Sequence, residues 1–141
     1  MSIPMILAPL FVQVLLTFAI MLGMMYFRTT SLQRRETRVE MIANREPNWP
    51  PRATQFGNAF SNQFELPVLF YVLTILVIET KHADLMFVLL AWVFVALRVL
   101  QAFVHVTANH VPARGGFYGA SAIVLLIMWI IFIVRILLHL P

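Results

Sequence analysis

The sequence lacks cysteine entirely. A chain without thiols can form no disulfide, no thiolate metal site and no cysteine nucleophile. Histidine is scarce as well, and only His105 lies among other polar residues of an apolar stretch. No second histidine or carboxylate has metal-ligand spacing near it, since His82 and His139 are expected at the other end of the predicted helices and His110 in a connection. We therefore expect no metal site.

Charged residues are also few, at 11% of the chain, whereas 61% of the residues are hydrophobic and the mean hydropathy is +0.86. This balance is far from that of a soluble domain and indicates an integral membrane protein. The sequence predicts an all-α, four-transmembrane-helix bundle that forms a single membrane domain over residues 1–141. The helices are expected at about residues 4–33, 56–79, 84–108 and 113–140.

The first apolar segment has no basic residue before it and is longer than the apolar part of a signal peptide, so we expect a retained helix. Its only strongly polar side chain inside the span is Gln13, which we interpret as an interhelical hydrogen-bonding group. In the second segment, Pro67 removes a backbone donor and predicts a kink. In the fourth, Gly115 and Gly119 are spaced for close helix packing.

The basic residues are unevenly distributed, although the formal charge is only +4. They are not interleaved with a base-stacking surface, so we expect no nucleic-acid partner. The first connection carries Arg28, Arg34, Arg35, Arg38, Arg45 and Arg52, and the third carries Arg114. By the positive-inside rule, these two connections are cytoplasmic and both termini lie on the outer side.

Six polar residues occupy two neighbouring apolar spans. They are Asn58, Asn62 and Glu65 on the second and Arg98, Gln101 and His105 on the third; we call them the polar set. Helical spacing places each trio on one face. If the two spans are straight antiparallel helices, residues whose numbers sum to 163 lie level with each other. Asn58 is then paired with His105, Asn62 with Gln101 and Glu65 with Arg98.

Arg114 stands in the first turn of the last predicted helix, where the helix dipole does not favour a cation. Its presence indicates that an anion is bound there. With the polar set it forms a pocket edge for a polar, anionic ligand whose reactive or apolar end meets a substrate dissolved in lipid. Intramembrane polar residues indicate a functional site by default.

Two other interpretations of the polar set remain open. Glu65 and Arg98 could neutralise each other while the amides hold the bundle together. The set could also relay protons, although the outer halves of the helices offer no continuation of a polar path.

These residues resemble the MAPEG superfamily, the membrane-associated proteins of eicosanoid and glutathione metabolism. The resemblance spans nearly the whole chain, and its first ground is the presence of four helices in about this length. The segment from Asn62 to Phe70 carries the Asn-x-x-Glu motif. Arg98 is followed sixteen residues later by Arg114. It implies a homotrimer that binds glutathione between subunits on the cytoplasmic side and acts on lipophilic small molecules. Asn62, Glu65 and Arg98 would hold the tripeptide, and Arg114 would stabilise its thiolate.

The chain also departs from that pattern. Eicosanoid-type members carry arginines immediately before and four residues before the motif asparagine, where this chain has Ser61 and Asn58, and they tend to have tyrosine where it has His105. Arg52 or another arginine of the connection could substitute. Since the family also includes a member that binds lipid without catalysis, two functions follow. One is a glutathione-dependent transferase or peroxidase, and the other is a non-catalytic lipid-binding or scaffold trimer.

Overall fold

The computed structural model describes all 141 residues, and all its regular elements are helical. They are α1 (Ile3–Gln33), α2 (Pro51–Asn62), α3 (Leu66–Glu79), α4 (Leu85–Val106) and α5 (Val111–Leu137), with one 3-10 turn at Val39–Met41. Four stretches are long and apolar enough to cross a membrane, and α2 and α3 together make the second. The predicted all-α, four-span fold class is confirmed.

The spans run alternately up and down, so the bundle has two distinct ends. We call one the basic end; it carries the connections 34–50 and 107–110. There, Arg52 of α2 donates through Nη1 to the backbone oxygen of Val106 at 2.8 Å. The opposite end carries both termini and the turn 80–84, where Arg135 Nη1 lies 3.0 Å from Asp84 Oδ2. Polar contacts thus close the bundle at both ends.

Side-chain caps determine where the last two helices begin. Asp84 accepts a hydrogen bond from the Phe87 amide at 2.9 Å and so caps α4. His110 Nδ1 accepts from the Ala113 amide at 3.2 Å and caps α5, whose first turn contains Pro112. Because this cap precedes Val111, α5 begins two residues before the predicted position.

The second span differs from the single helix expected at 56–79. It begins at Pro51, since a proline suits the first turn of a helix, and it is interrupted at residues 63–65. In the interruption the amides of Gln63, Phe64 and Glu65 bond to carbonyls three residues back, at 3.0 to 3.3 Å. Pro67 then lies in the first turn of α3, where its missing donor costs no hydrogen bond. The proline starts a helix instead of bending one.

The main apolar core lies in the half of the bundle towards the opposite end, where Phe70 of α3 stacks on Phe94 of α4 at 4.9 Å between ring centroids. Nearer the basic end, a second cluster contains only Ile20, Ala59 and Ala102. The two alanines bring α2 and α4 close together. The buried apolar cluster is therefore much smaller where the polar set lies.

Much of the apolar surface faces outward. Only 28 of the 141 residues are buried, and large side chains such as Phe11, Leu15, Phe18 and Leu22 follow one exposed face of α1. In water such a continuous face would be unfavourable, whereas in a bilayer it contacts lipid chains. The chain is an integral membrane protein.

Candidate functional site

The interruption between α2 and α3 positions the acidic residue of the polar set. Glu65 precedes α3 with φ −96° and ψ −105°, outside the helical region, and its side chain does not cap the helix. Its carboxylate is exposed and accepts no hydrogen bond from the chain. This leaves a free carboxylate within the apolar span, next to the amides of α2.

A cavity of about 370 Å³ opens at this point between α2, α4 and α5, and we call it the site cavity. Its volume lies in the range of small-molecule sites, about 300–1,000 Å³. It is lined by Asn58, Asn62, Glu65, Gln101, His105, Arg114, Gly115 and Tyr118. The structure thus brings together six of the seven residues that the sequence singles out.

Arg98, the seventh, lies behind the cavity wall and is 0% exposed. Its Nη2 donates to the backbone oxygen of Asn62 at 3.1 Å, and its guanidinium carbon lies 5.3 Å from the centroid of the Tyr118 ring. Nε and Nη1 have no partner in the chain. Arg98 therefore braces the interruption and keeps donors available.

The level pairs expected for two straight helices are not the contacts that form. Asn62 Nδ2 lies 3.4 Å from His105 Nδ1, so Asn62 faces His105 and not Gln101. Glu65 and Arg98 form no ion pair, since the only one in the chain joins Arg135 and Asp84. The expected register assumed a uniform helical rise, which the bonds to the third preceding carbonyl at residues 63–65 interrupt.

Several buried polar atoms around the site have no partner in the chain. They include Oε1 of Gln101, which is 1% exposed, beside the two free nitrogens of Arg98. Buried polar groups are normally paired with protein, water or ligand. These free donors and acceptor are consistent with a cavity that receives a polar molecule.

Arg114 is half-buried in the first turn of α5 and lines the cavity. Its Nη1 donates to Oδ1 of Asn109 at 2.7 Å. Asn109 lies in the preceding connection at φ 51°, a left-handed conformation that asparagine adopts more readily than most residues. The guanidinium is thus held in place by a residue that sequence analysis did not identify.

Two further lining residues were also not predicted. Tyr118 follows Arg114 by four residues and so lies on the same face of α5, a spacing that could have identified it. Gly115 lines the cavity through its backbone. Asn109 had no comparable signal, because an asparagine in a short connection is ordinary turn chemistry.

Gln13 of α1 holds the interruption from behind. Its Nε2 donates to Oε1 of Gln63 at 2.7 Å, and Gln63 Nε2 donates in turn to the Ala59 oxygen at 3.0 Å. Both glutamine side chains are buried. The predicted interhelical role of Gln13 is confirmed, and its partner lies in the interruption itself.

Within one chain, Arg52 does not reach the site cavity, and so it does not take the place of an arginine at position 58 or 61 there. Its guanidinium is bonded to the end of α4 through the Val106 oxygen and lies 5.8 Å from the Phe27 ring centroid. It is absent from the lining of the site cavity. Its role is to join α2 to α4.

An apolar groove of about 440 Å³ runs along α3 and α5 from the interruption towards the opposite end. It is lined by Leu66, Leu69, Ala122, Leu125, Leu126, Trp129 and Ile133. Leu66 directly follows Glu65, so the groove begins beside the site cavity. A molecule with a polar and an apolar part could contact both.

The charges around the site favour an anion. Arg114 and the buried Arg98 outnumber the single carboxylate of Glu65, and the first turn of α5 adds the partial positive charge of a helix N-terminus. No three histidine, aspartate or glutamate side chains converge anywhere in the chain. The arrangement can bind an anionic group at Arg114 and a cationic or hydrogen-bonding group at Glu65.

Comparison with known proteins agrees with this four-span bundle. The model of the MAPEG family matches residues 6–134, nearly the whole chain. No curated protein and no solved structure matches it. The extent of the family match shows that the chain belongs to the MAPEG family.

Proposed function

We propose that the protein is a glutathione-dependent membrane transferase or peroxidase that acts on lipophilic electrophiles. The observation that supports this most directly is Arg114, which Asn109 holds at the edge of the site cavity. The MAPEG family includes glutathione transferases and peroxidases. The cavity volume and the unpaired polar atoms around it suit a charged tripeptide.

In this proposal the residues have distinct roles. Asn62, Glu65 and Arg98 bind the tripeptide, with Arg98 acting from behind the wall, and Asn58, Gln101 and His105 complete the polar lining. Arg114 stabilises the thiolate, because a guanidinium at a helix N-terminus favours an anion over the neutral thiol. The thiolate sulfur then forms a bond to the electrophilic atom, and the leaving group departs with the bonding electrons.

The apolar groove is the proposed site of the second substrate. It offers only apolar side chains and begins beside Glu65. A lipophilic molecule that enters from the bilayer would have its reactive end near the thiolate and its apolar remainder in the groove. This division supports a reaction between a water-soluble thiol and a lipid-soluble partner.

The proposal is tested by measuring whether bound glutathione is present as its thiolate. When glutathione is added to the purified protein, ultraviolet thiolate absorbance should appear and should diminish in Arg114→Ala. Arg38→Ala removes an exposed arginine of the connection and serves as the matched control, with absorbance like that of the wild type. Absence of both thiolate and conjugation with a reactive aryl halide in the wild type would refute the proposal.

We also propose that the active form is a homotrimer. An added Cβ on Gly115, Gly116 or Gly119 would meet nothing within 4 Å, so this face of α5 lacks a packing partner inside the chain. Glu65 is likewise exposed and unpaired. A neighbouring copy would cover both features.

The same features favour the second candidate function, a non-catalytic lipid-binding or scaffold trimer. If the polar set serves only to hold copies together, Glu65→Gln should dissociate the trimer in detergent with no effect on ligands. If Glu65→Gln instead leaves a stable trimer that has lost glutathione binding, the scaffold function is excluded. Chemical crosslinking measures the first property and calorimetry the second.

A further inference from the structure

A second polar cavity, of about 480 Å³, lies on the other side of α2 from the main wall of the site cavity. It is enclosed by the last turns of α1, the connection 34–50 and α2, and we call it the connection cavity. Three charged side chains line it: Arg28, Arg45 and Glu46. Asn58 borders both cavities, but no arginine is shared between them.

The guanidinium of Arg28 is unpaired. It makes no hydrogen bond or ion pair, and its Nε is buried without a partner. Its one specific contact is with Trp49, whose ring centroid lies 5.1 Å from the guanidinium carbon. A partly buried cation without an anion is unfavourable. The position of Arg28 therefore favours binding of an anionic ligand.

Gly57 allows the guanidinium to occupy this position. A Cβ at Gly57 would lie 2.9 Å from Arg28 Nη2, too close for the group to stay where it is. The guanidinium therefore lies between Trp49 on one side and the bare backbone of Gly57 on the other. A donor group held in place in this way loses little freedom when it binds a ligand.

Arg45 supplies a second unpaired guanidinium. Its backbone adopts φ 62°, a left-handed conformation that costs free energy in any residue other than glycine, and its side chain lines the same cavity. Glu46 is the only acidic residue in the lining, so the cavity carries a net positive charge. Two guanidinium groups with free planar donors are suited to the oxygens of a phosphate.

The surroundings of the cavity resemble a membrane interface. Met24, Ile42 and Phe60 add apolar lining. On the adjoining 3-10 turn, Val39 and Met41 are 64% and 42% exposed in a segment rich in arginine. Apolar side chains beside basic ones are typical of segments that lie at the headgroup level of a bilayer.

We propose that the connection cavity binds the phosphate of a membrane phospholipid headgroup. Arg28 and Arg45 bind the phosphate oxygens, and Met24 and Phe60 contact the glycerol and the first part of the acyl chains. A soluble phosphate ester would leave these apolar side chains without a partner, which favours the lipid. The site is independent of glutathione chemistry.

The test measures binding of a short-chain phosphatidylglycerol to the full chain in uncharged detergent, by native mass spectrometry and without glutathione. Arg28→Gln should weaken binding about tenfold, the loss expected for one charge-assisted contact. Gly57→Ala keeps every charge but shifts the guanidinium, and it should weaken binding by less than Arg28→Gln does. Arg34→Gln, which removes an exposed arginine outside the cavity, is the matched control and should bind as the wild type does.

Competition distinguishes the possible ligands. Uncharged diacylglycerol and inorganic phosphate should both fail to displace the phosphatidylglycerol at equal concentration. Equal affinity in all four proteins would refute the site, and tighter binding of glycerol phosphate than of lipid would refute its assignment to lipid. Thermal unfolding without lipid should be alike in the wild type and Gly57→Ala, which excludes a folding defect as the cause of lost binding.

Discussion

At the scale of single residues, Asn109 determines the direction of the Arg114 guanidinium. Its side-chain oxygen lies 2.7 Å from Arg114 Nη1, and no other side chain in the chain accepts a bond from that guanidinium. Without it, the long arginine side chain would sample several rotamers in the open part of the cavity. Asn109 is therefore a positioning residue in the proposed reaction.

Asn109→Ala should reduce the rate of glutathione conjugation by about three- to tenfold, because a hydrogen bond to a partly exposed charged group is lost. Thiolate absorbance should fall in parallel, and the thermal midpoint should fall slightly, because alanine adopts the left-handed backbone at this position less readily than asparagine. Asn44→Ala, at an exposed asparagine of the connection, is the control. Unchanged thiolate absorbance in Asn109→Ala would show that Arg114 needs no positioning.

Single residues also show how much of the site could be predicted from the sequence. Glu65 and Arg114 could be identified because a charge in or beside an apolar span is costly and so conspicuous. Arg98 was identified too, but helical spacing gives a face and not a depth, and the structure buries it behind the wall. Asn109 could not be found, since an asparagine in a short connection ordinarily indicates only a turn.

At the scale of elements, the contact between Gln13 and Gln63 fixes the interruption of the second span to α1. Each amide is buried, and Gln13 Oε1 already lacks a partner. Removing one side chain would leave the other with no interhelical partner in an apolar environment. The two residues should therefore be energetically coupled.

Gln63→Leu should lower the free energy of unfolding in detergent by about 1 kcal/mol. The double variant with Gln13→Leu should be more stable than the sum of the single changes by about 0.6 kcal/mol or more, the usual size of interhelical coupling in membranes. Pairing Gln13→Leu with Gln55→Leu, at an unbonded glutamine of α2, should show no coupling. If the effects of the two substitutions on the free energy of unfolding are additive in both pairs, the observed hydrogen bond adds no stability.

The spans could be predicted from hydropathy because only an apolar helix of about 20 residues satisfies its backbone groups across a bilayer. The interruption of the second span could not be predicted in this way. Pro67 indicated a disturbance in the second span, but whether the chain bends or leaves the helix depends on partners such as Gln13 and Arg98 on other helices. The start of α5 shifted for a local reason, because the His110 side chain caps the helix before its predicted first residue.

At the scale of the whole molecule, the arginine-rich connection and the site lie at the same end. The positive-inside rule predicts that this end is cytoplasmic, where a soluble thiol would be available. The absence of cysteine makes the prediction easy to test, because every introduced thiol is unique. Ser2 and Asn44 are exposed at the two ends and suit this purpose.

In intact cells, a membrane-impermeant maleimide should label Ser2→Cys but not Asn44→Cys, which should react only after permeabilisation. Ser121→Cys, at a position with 0% exposure, should stay unlabelled in both conditions and controls for denaturation. The reverse pattern would place the basic end and the site cavity on the outer side.

The break between α2 and α3 has a consequence for how such a protein can diversify. Residues 51–62 form a helix of their own, which carries Asn58 and Asn62 and ends before α3, the longer part of the same span, begins. Substitutions at these two asparagines can change the polar lining of the site cavity without altering the length or apolar packing of α3. Asn58 and Asn62 are thus positions at which selection or a protein engineer could seek a new ligand preference, while the buried Ala53, Gly57 and Ala59 keep α2 packed in place.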